Sequence, residues 1–91
     1  MNSAYKLTYH KEAVKYLSKQ EVAVQQRIAQ ALQGLLKIPI EGDIKPLKGK
    51  KGLYRQRVGT YRIIFEVMHS EKMIYIHAID SRGGIYKQQL D

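Results

Sequence analysis

Arg55, Arg57 and Arg62 fall within one nine-residue stretch, Tyr54-Arg55-Gln56-Arg57-Val58-Gly59-Thr60-Tyr61-Arg62, that reads as two strands joined by a tight turn. Glycine at the first loop position suits a type II′ hairpin turn. With Gly59-Thr60 as the loop, Val58 faces Tyr61, Arg57 faces Arg62, and Arg55 faces Ile64. Strand alternation then gathers the three guanidinium groups on one sheet face. Tyr54, Val58, Tyr61, Ile63, Phe65 and Val67 take the other face, with Gln56 as the polar misfit among them. Like charges set opposite each other destabilise a sheet. Such a cluster therefore answers to an anionic partner, and polyphosphate, RNA in particular, is the leading class. Ordinary surface charge is the plainer alternative.

The chemistry open to these residues is RNA cleavage by the substrate's own 2′-hydroxyl. That reaction needs a base for the 2′-OH proton, cations for the phosphorane charge, and an acid for the departing 5′-oxygen. Arginine serves the second need, because its planar fork grips phosphate bidentately and stays charged. It serves proton transfer badly for the same reason. Tyr86 is one candidate acid or base, since neighbouring guanidinium groups favour the phenolate. His77 is the other. Tyr86 as a packing residue and His77 as a rim histidine are the structural alternatives. Lys45, Lys48, Lys50 and Lys51 are candidate RNA contacts, or a solvated basic loop. His77 is a further candidate RNA contact, and aromatic rings on this face could stack on a splayed base. No histidine pair, carboxylate dyad or metal-ligand spacing occurs, so neither metal nor cofactor is expected.

Composition supports an electrostatic partner. The 91 residues carry 16 Lys and Arg against 8 Asp and Glu, a formal charge of +8, and the pI is near 9.8. Seven of those cations lie between Lys45 and Arg62, a stretch without an acidic residue. Nucleic acid is the commonest partner of such a chain, followed by an acidic protein and an anionic membrane. Membrane attachment is disfavoured, because no apolar run approaches the roughly 20 residues of a span. With no cysteine there is no disulfide framework or thiolate chemistry. The length fits one domain, residues 1–91, and a cytoplasmic location is the default.

The elements that position these residues follow from periodicity. Tyr5 to Tyr9 alternates as a half-buried strand with Tyr5, Leu7 and Tyr9 inward. From about Lys11 the period turns helical, with Ala13, Val14 and Leu17 on one face and a break at Ser18 to Gln20. A second helix spans about Glu21 to Leu36, with Val24, Ile28, Ala31, Leu32 and Leu35 on one stripe, and Pro39 and Gly42 end it. A glycine-flanked loop, Pro46 to Gly52, carries the lysines. Three strands follow, Leu53 to Val58, Tyr61 to Met68 and Met73 to Asp80. In the last, Ile74, Ile76 and Ala78 should point inward and Tyr75, His77 and Ile79 outward, with His77 one diagonal step from Arg62. Arg82 and Tyr86 lie just beyond. The expected fold is α+β in the order β-α-α-β-β-β, two helices on one face of a small antiparallel sheet and the other face open.

Leu47-Lys48-Gly49, Leu53-Tyr54-Arg55-Gln56-Arg57, Gly59-Thr60-Tyr61-Arg62-Ile63-Ile64-Phe65 and the ending Ile79 to Lys87 together resemble the RelE/ParE superfamily of bacterial and archaeal toxins. The resemblance runs from the first strand to Tyr86. Its RelE branch implies a ribosome-dependent endoribonuclease that cuts mRNA in the A site and leaves a cyclic phosphate. It implies catalytic roles for Arg55, Arg57, Arg62, Arg82 and Tyr86, and a grip on ribosomal RNA by Lys48, Lys50 and Lys51. It also implies a cognate antitoxin, an acidic or amphipathic segment wrapping the toxin, with operator DNA reached only through that antitoxin. Two departures stand out. Ser81 occupies a position where many relatives carry histidine, and Arg55 and Arg57 stand where relatives commonly have lysine. Two other functions compete: the ParE branch, which poisons DNA gyrase without a nuclease site, and a non-catalytic basic module for RNA or acidic protein.

Overall fold

Residues 4–81 are described by the computed structural model of the chain. Arg82 and Tyr86 lie outside the described residues. The elements run β1 (Lys6–Tyr9), α1 (Lys11–Ser18), α2 (Val22–Gly34), β2 (Asp43–Pro46), β3 (Leu53–Val58), β4 (Tyr61–Met68) and β5 (Met73–Ser81). The five strands form one sheet in the order β1-β5-β4-β3-β2. β1 lies parallel to β5, and the remaining neighbours are antiparallel. The α+β class and the helix-then-strand order are those expected. The structure adds the edge strand β2 and makes the β1 edge parallel, so the sheet is mixed.

The helices form where the sequence supplies both an apolar stripe and end groups. His10 caps α1, its Nδ1 accepting from the Glu12 amide at 3.0 Å. Glu12 in the first turn and Lys15 in the last complement the helix dipole. Beyond the end of α1, Gln25 Nε2 donates to the carbonyls of Leu17 at 3.1 Å and Gln20 at 3.0 Å. One side chain of α2 thereby closes the turn between the helices. Ile28, Leu32 and Leu35 are buried, with Val24 and Ala31 packed beside them. They meet Ile63, Phe65, Ile74, Ile76 and Ile79 from the sheet. Two expected core positions fail. Val14 is 50% exposed and Tyr9 38% exposed, because short α1 and edge strand β1 each have a side that nothing covers.

The β3–β4 hairpin has the expected register: Arg57 pairs Arg62, Val58 pairs Tyr61 and Arg55 pairs Ile64. Gly59 has φ of 63° while Thr60 is not in the positive region, the pattern of a II′ turn. Gln56 is buried on the helix side, as its parity requires. Its Nε2 donates to the Ala31 carbonyl at 3.1 Å. That carbonyl is exposed by the end of α2, where the Leu35 amide turns to Leu32 instead. The misfit is thus a helix cap supplied by the sheet. Gly42 makes room for it: a Cβ there would lie 2.7 Å from Gln56 Nε2.

β5 departs from simple alternation. Phe65 pairs Ile76, while Ile64 pairs Ala78, so His77 is an extra residue in a β-bulge. Ile74 and Ile76 point inward as expected, but beyond the bulge the parity inverts. Ile79 enters the main core, and Ala78 joins Ile64 on the opposite face. The bulge buries the larger side chain.

Replacing Gln56 with Leu keeps the volume but abandons the Ala31 carbonyl. Gln56 Oε1 is itself buried without a hydrogen bond and leaves with the side chain. Urea unfolding should therefore show a net loss of about 1 kcal/mol, the low end for orphaning a buried polar group. An unchanged midpoint would remove the capping role.

Candidate functional site

Side chains of the face away from the helices stand in rows across the strands. The first row reads Asp43, Arg57, Arg62, Asp80, each residue in register with the next. Arg57 and Arg62 face each other across the hairpin, flanked on either side by a carboxylate from an outer strand. Arg57 Nε and Nη2 both lie 2.8 Å from Asp43 Oδ2. Arg55 Nη1 lies 3.9 Å from Asp43 Oδ1. Arg62 Nη1 donates to the Tyr61 carbonyl at 3.3 Å, and Asp80 Oδ1 accepts from the Ser81 amide at 2.8 Å. The cluster expected to be answered only by an external anion carries counter-charge of its own.

The carboxyl of Asp43 is held below the usual carboxylate range, first by the hydrogen bond from Arg57 and then by the nearby charges of Arg57, Arg55 and Lys45. Tyr16 of α1 lies near the other end of the row. Burial, and then the Asp80 carboxylate, push its phenol up, which keeps it protonated.

The second row, Lys45-Arg55-Ile64-Ala78, is not open as expected. Leu47 packs over Ile64 and Ala78 in a small apolar cluster. The Arg55 side chain retains only 11% exposure, and its Nη1 is buried without a hydrogen bond. The third row holds Leu53, Glu66 and Tyr75. His77 lies on this face as expected, and its Nε2 is 2.9 Å from Glu66 Oε1. His77 therefore sits with Glu66, not one step from Arg62; Asp80 takes that place.

The lysines separate. Lys45 is exposed on β2 opposite Arg55. Lys48, Lys50 and Lys51 are exposed in the turn between β2 and β3, at the end of the hairpin remote from Arg57. Four strand residues, about 13 Å, separate the two ends. Arg82 and Tyr86 fall outside the described residues. Sequence reasoning missed Asp43 and Glu66 as partners. The alternation Asp43-Ile44-Lys45, with Ile44 packed inward, is the one faint trace of the strand bearing Asp43, too short to mark it without its pairing to β3. A separate cavity of about 310 Å³ lies on the helix side, lined by Tyr5, Leu35, Ile38, Ile40, Val67 and Ile74. Lys37 and His69 also line it, but its walls are mainly apolar and it lies apart from the arginine row. Among the described residues no cluster of His, Cys, Asp or Glu could hold a metal, and no helix is long and apolar enough to cross a membrane.

Residues 7–86 match the profile of the ParE toxin of the type II toxin–antitoxin system parDE. A protein of Methanocaldococcus jannaschii bearing the name toxin RelE1 is 30% identical over 86 residues, covering 91% of this chain and 96% of that one. The chain belongs to the RelE/ParE superfamily of toxins. It is the toxin of a toxin–antitoxin system, with a RelE-like fold. The structure of the archaeal RelE–RelB complex from Pyrococcus horikoshii OT3 superposes with a TM-score of 0.75 at 32% identity, covering 88% of this chain and 97% of that one. The isolated Escherichia coli RelE toxin gives 0.75 at 20% identity, covering 93% of this chain and 94% of that one, a likeness of fold.

The Asp43–Arg57 bond predicts a pH dependence of the toxin's stability. A depressed folded-state pKa contributes stability that is present above the unfolded value of about 3.9 and is lost as pH falls through the lower folded value. Carboxyl NMR titration should place Asp43 below its ordinary midpoint, and Arg57→Gln should return it upward. A midpoint unmoved by that substitution would refute the pairing.

Proposed function

We propose that this toxin halts translation by cutting mRNA in the ribosomal A site, with the substrate's 2′-hydroxyl as nucleophile. The observation that carries this reading is the register of Arg57 and Arg62, which face each other on the helix-free side with Arg55 one row away. A scissile phosphodiester laid there meets two guanidinium forks. The 2′-oxygen attacks phosphorus, the bond to the 5′-oxygen breaks, and a 2′,3′-cyclic phosphate remains. Arg57 and Arg62 hold the charge that builds on the non-bridging oxygens, and Arg55, 3.9 Å from Asp43 Oδ1, adds positive charge one row away. The resemblance to RelE toxins adds Arg82 as a further phosphate ligand and Tyr86 as the group that moves the proton. Lys45, Lys48, Lys50 and Lys51 bind the RNA surroundings.

The partner of the free toxin, on this reading, is a cognate antitoxin. Two of the similar structures, from Pyrococcus horikoshii and M. jannaschii, are complexes of RelE with RelB. An acidic or amphipathic segment laid over the arginine row would neutralise it. The matching ParE profile supports a second reading, a gyrase poison with no nuclease chemistry.

Induction in cells separates the two, with growth and mRNA 5′ ends followed together. Cuts inside translated frames are expected, relieved by co-expression of the neighbouring antitoxin; DNA breaks with intact mRNA would establish the gyrase reading. Arg62→Gln and Tyr86→Phe should each lower cleavage on programmed ribosomes by about a hundredfold or more. Because Arg57 is already paired and no strong base stands in the arginine row, the pure toxin should cut naked RNA poorly. Rapid degradation of free RNA would contradict that.

A further inference from the structure

The third row of the helix-free face is unused by the arginine chemistry, and its geometry is that of a receptor for a flat ring. We propose that Tyr75, His77 and Glu66 form a nucleobase subsite, which takes one unstacked base of the same RNA strand whose phosphate lies on the arginine row. The inference rests on RNA being the toxin's substrate.

Three observations converge on it. The first is the strand itself: Tyr75 and His77, two residues apart, share one face, and the bulge leaves His77 without a cross-strand pair. Bulges are common beside functional sites. The second is the ring geometry. The Tyr75 and His77 centroids are 4.7 Å apart with planes at 89°, so the two rings form a corner. Each is only partly buried. One wall of such a corner stacks on a base while the other meets its edge. His77 is held in place by Glu66 Oε1 at 2.9 Å. The Glu66 side chain is 37% exposed and can accept a hydrogen bond from a base N–H as well.

The third observation is position. Glu66 lies four residues along β4 from Arg62, about 13 Å, and the turn bearing Lys48, Lys50 and Lys51 is at the same end of the sheet. The arginine row thus lies beyond the corner in one direction along the strands, and the lysine turn lies across the sheet at the other end, between β2 and β3. A basic track with aromatic rings set between its charges is how single-stranded nucleic acid is held without base pairing. An exposed histidine–carboxylate pair on its own would be a weak structural contact.

The test is binding of a fluorescent RNA hexamer, and of a hexamer of abasic ribose phosphates, at several salt concentrations. Tyr75→Leu keeps an apolar side chain in the strand but removes the ring, and Tyr75→Phe restores it. Tyr75→Leu should weaken the RNA hexamer tenfold or more, the lower range of losing one stacked base. It should leave the salt slope and the abasic hexamer unchanged, and Tyr75→Phe should bind as the parent does. Arg62→Gln should instead weaken both oligomers and reduce the salt slope by about one. His77→Leu provides the same ring deletion at the second wall should thermal melting show Tyr75→Leu unfolded. Failure of the parent to prefer the RNA over the abasic hexamer overturns the subsite, as does unchanged RNA affinity in a folded ring-deletion variant. Cleavage on programmed ribosomes, run on the same preparations, separates the two readings. Ribosomal cleavage with ring-independent binding sinks the subsite alone. Base-dependent binding without ribosomal cleavage sinks the mRNA-cutting mechanism and leaves the subsite standing.

Discussion

Two guanidinium groups opposed across a hairpin must be answered by negative charge, and the helix-free face of this toxin is organised around that requirement. Like charges directly opposite one another destabilise a strand pair. Splaying and water reduce this, but they do not reverse its sign. The strands on either side of the hairpin place Asp43 and Asp80 in register beside Arg57 and Arg62. Asp43 closes on Arg57, whereas Asp80 accepts from the Ser81 amide and Arg62 donates to the Tyr61 carbonyl. The row is therefore formally neutral, but only one of its arginines is ion-paired among the described residues. The arginines remain on the surface, able to exchange one oxyanion for another.

The position of Asp43 depends on contacts far from the charge row. The Glu41 amide donates to the Gly34 carbonyl at 3.0 Å, tying the start of β2 to the end of α2. A Cβ on Gly34 would lie 2.8 Å from the Glu41 oxygen, so the approach needs glycine. Gln56 joins the same helix end to β3, and Gly42 clears the space for it. Core packing thus sets the register of a short edge strand, and that register sets which carboxylate meets Arg57. Pro46 closes β2 on the sheet edge, where a strand proline removes no ladder hydrogen bond.

The hairpin was legible in the sequence because every local signal agreed: alternation, turn glycine and the expense of burying arginine all selected one register. The helices were legible for the same reason, within a residue or two at their ends. β2 was not, because four residues containing proline, lysine and aspartate show no strand composition; only pairing to β3 makes them a strand. The bulge was equally hidden. Alternation predicted Ala78 inward and Ile79 outward, and the greater apolar area of isoleucine overrode the period. Both misses fall on the partners of the candidate site. Its arginines could be read from sequence, but their counter-ions could not.

The two hairpin arginines of β3 are not equivalent toward an anion. Arg57 is exposed and already holds Asp43 through two nitrogens, so a phosphate gains there only the difference between two similar oxyanions. Arg55 is nearly buried beneath its row, and its Nη1 has no hydrogen bond. That nitrogen is closed off from the surface, and its counter-charge is Asp43 Oδ1 at 3.9 Å. An anion on the face therefore meets Arg57 directly and Arg55 only as charge. On the mRNA-cutting reading, Arg57 exchanges its carboxylate for phosphate, while Arg55 stays beneath the row beside Asp43 and contributes positive charge rather than a direct bond.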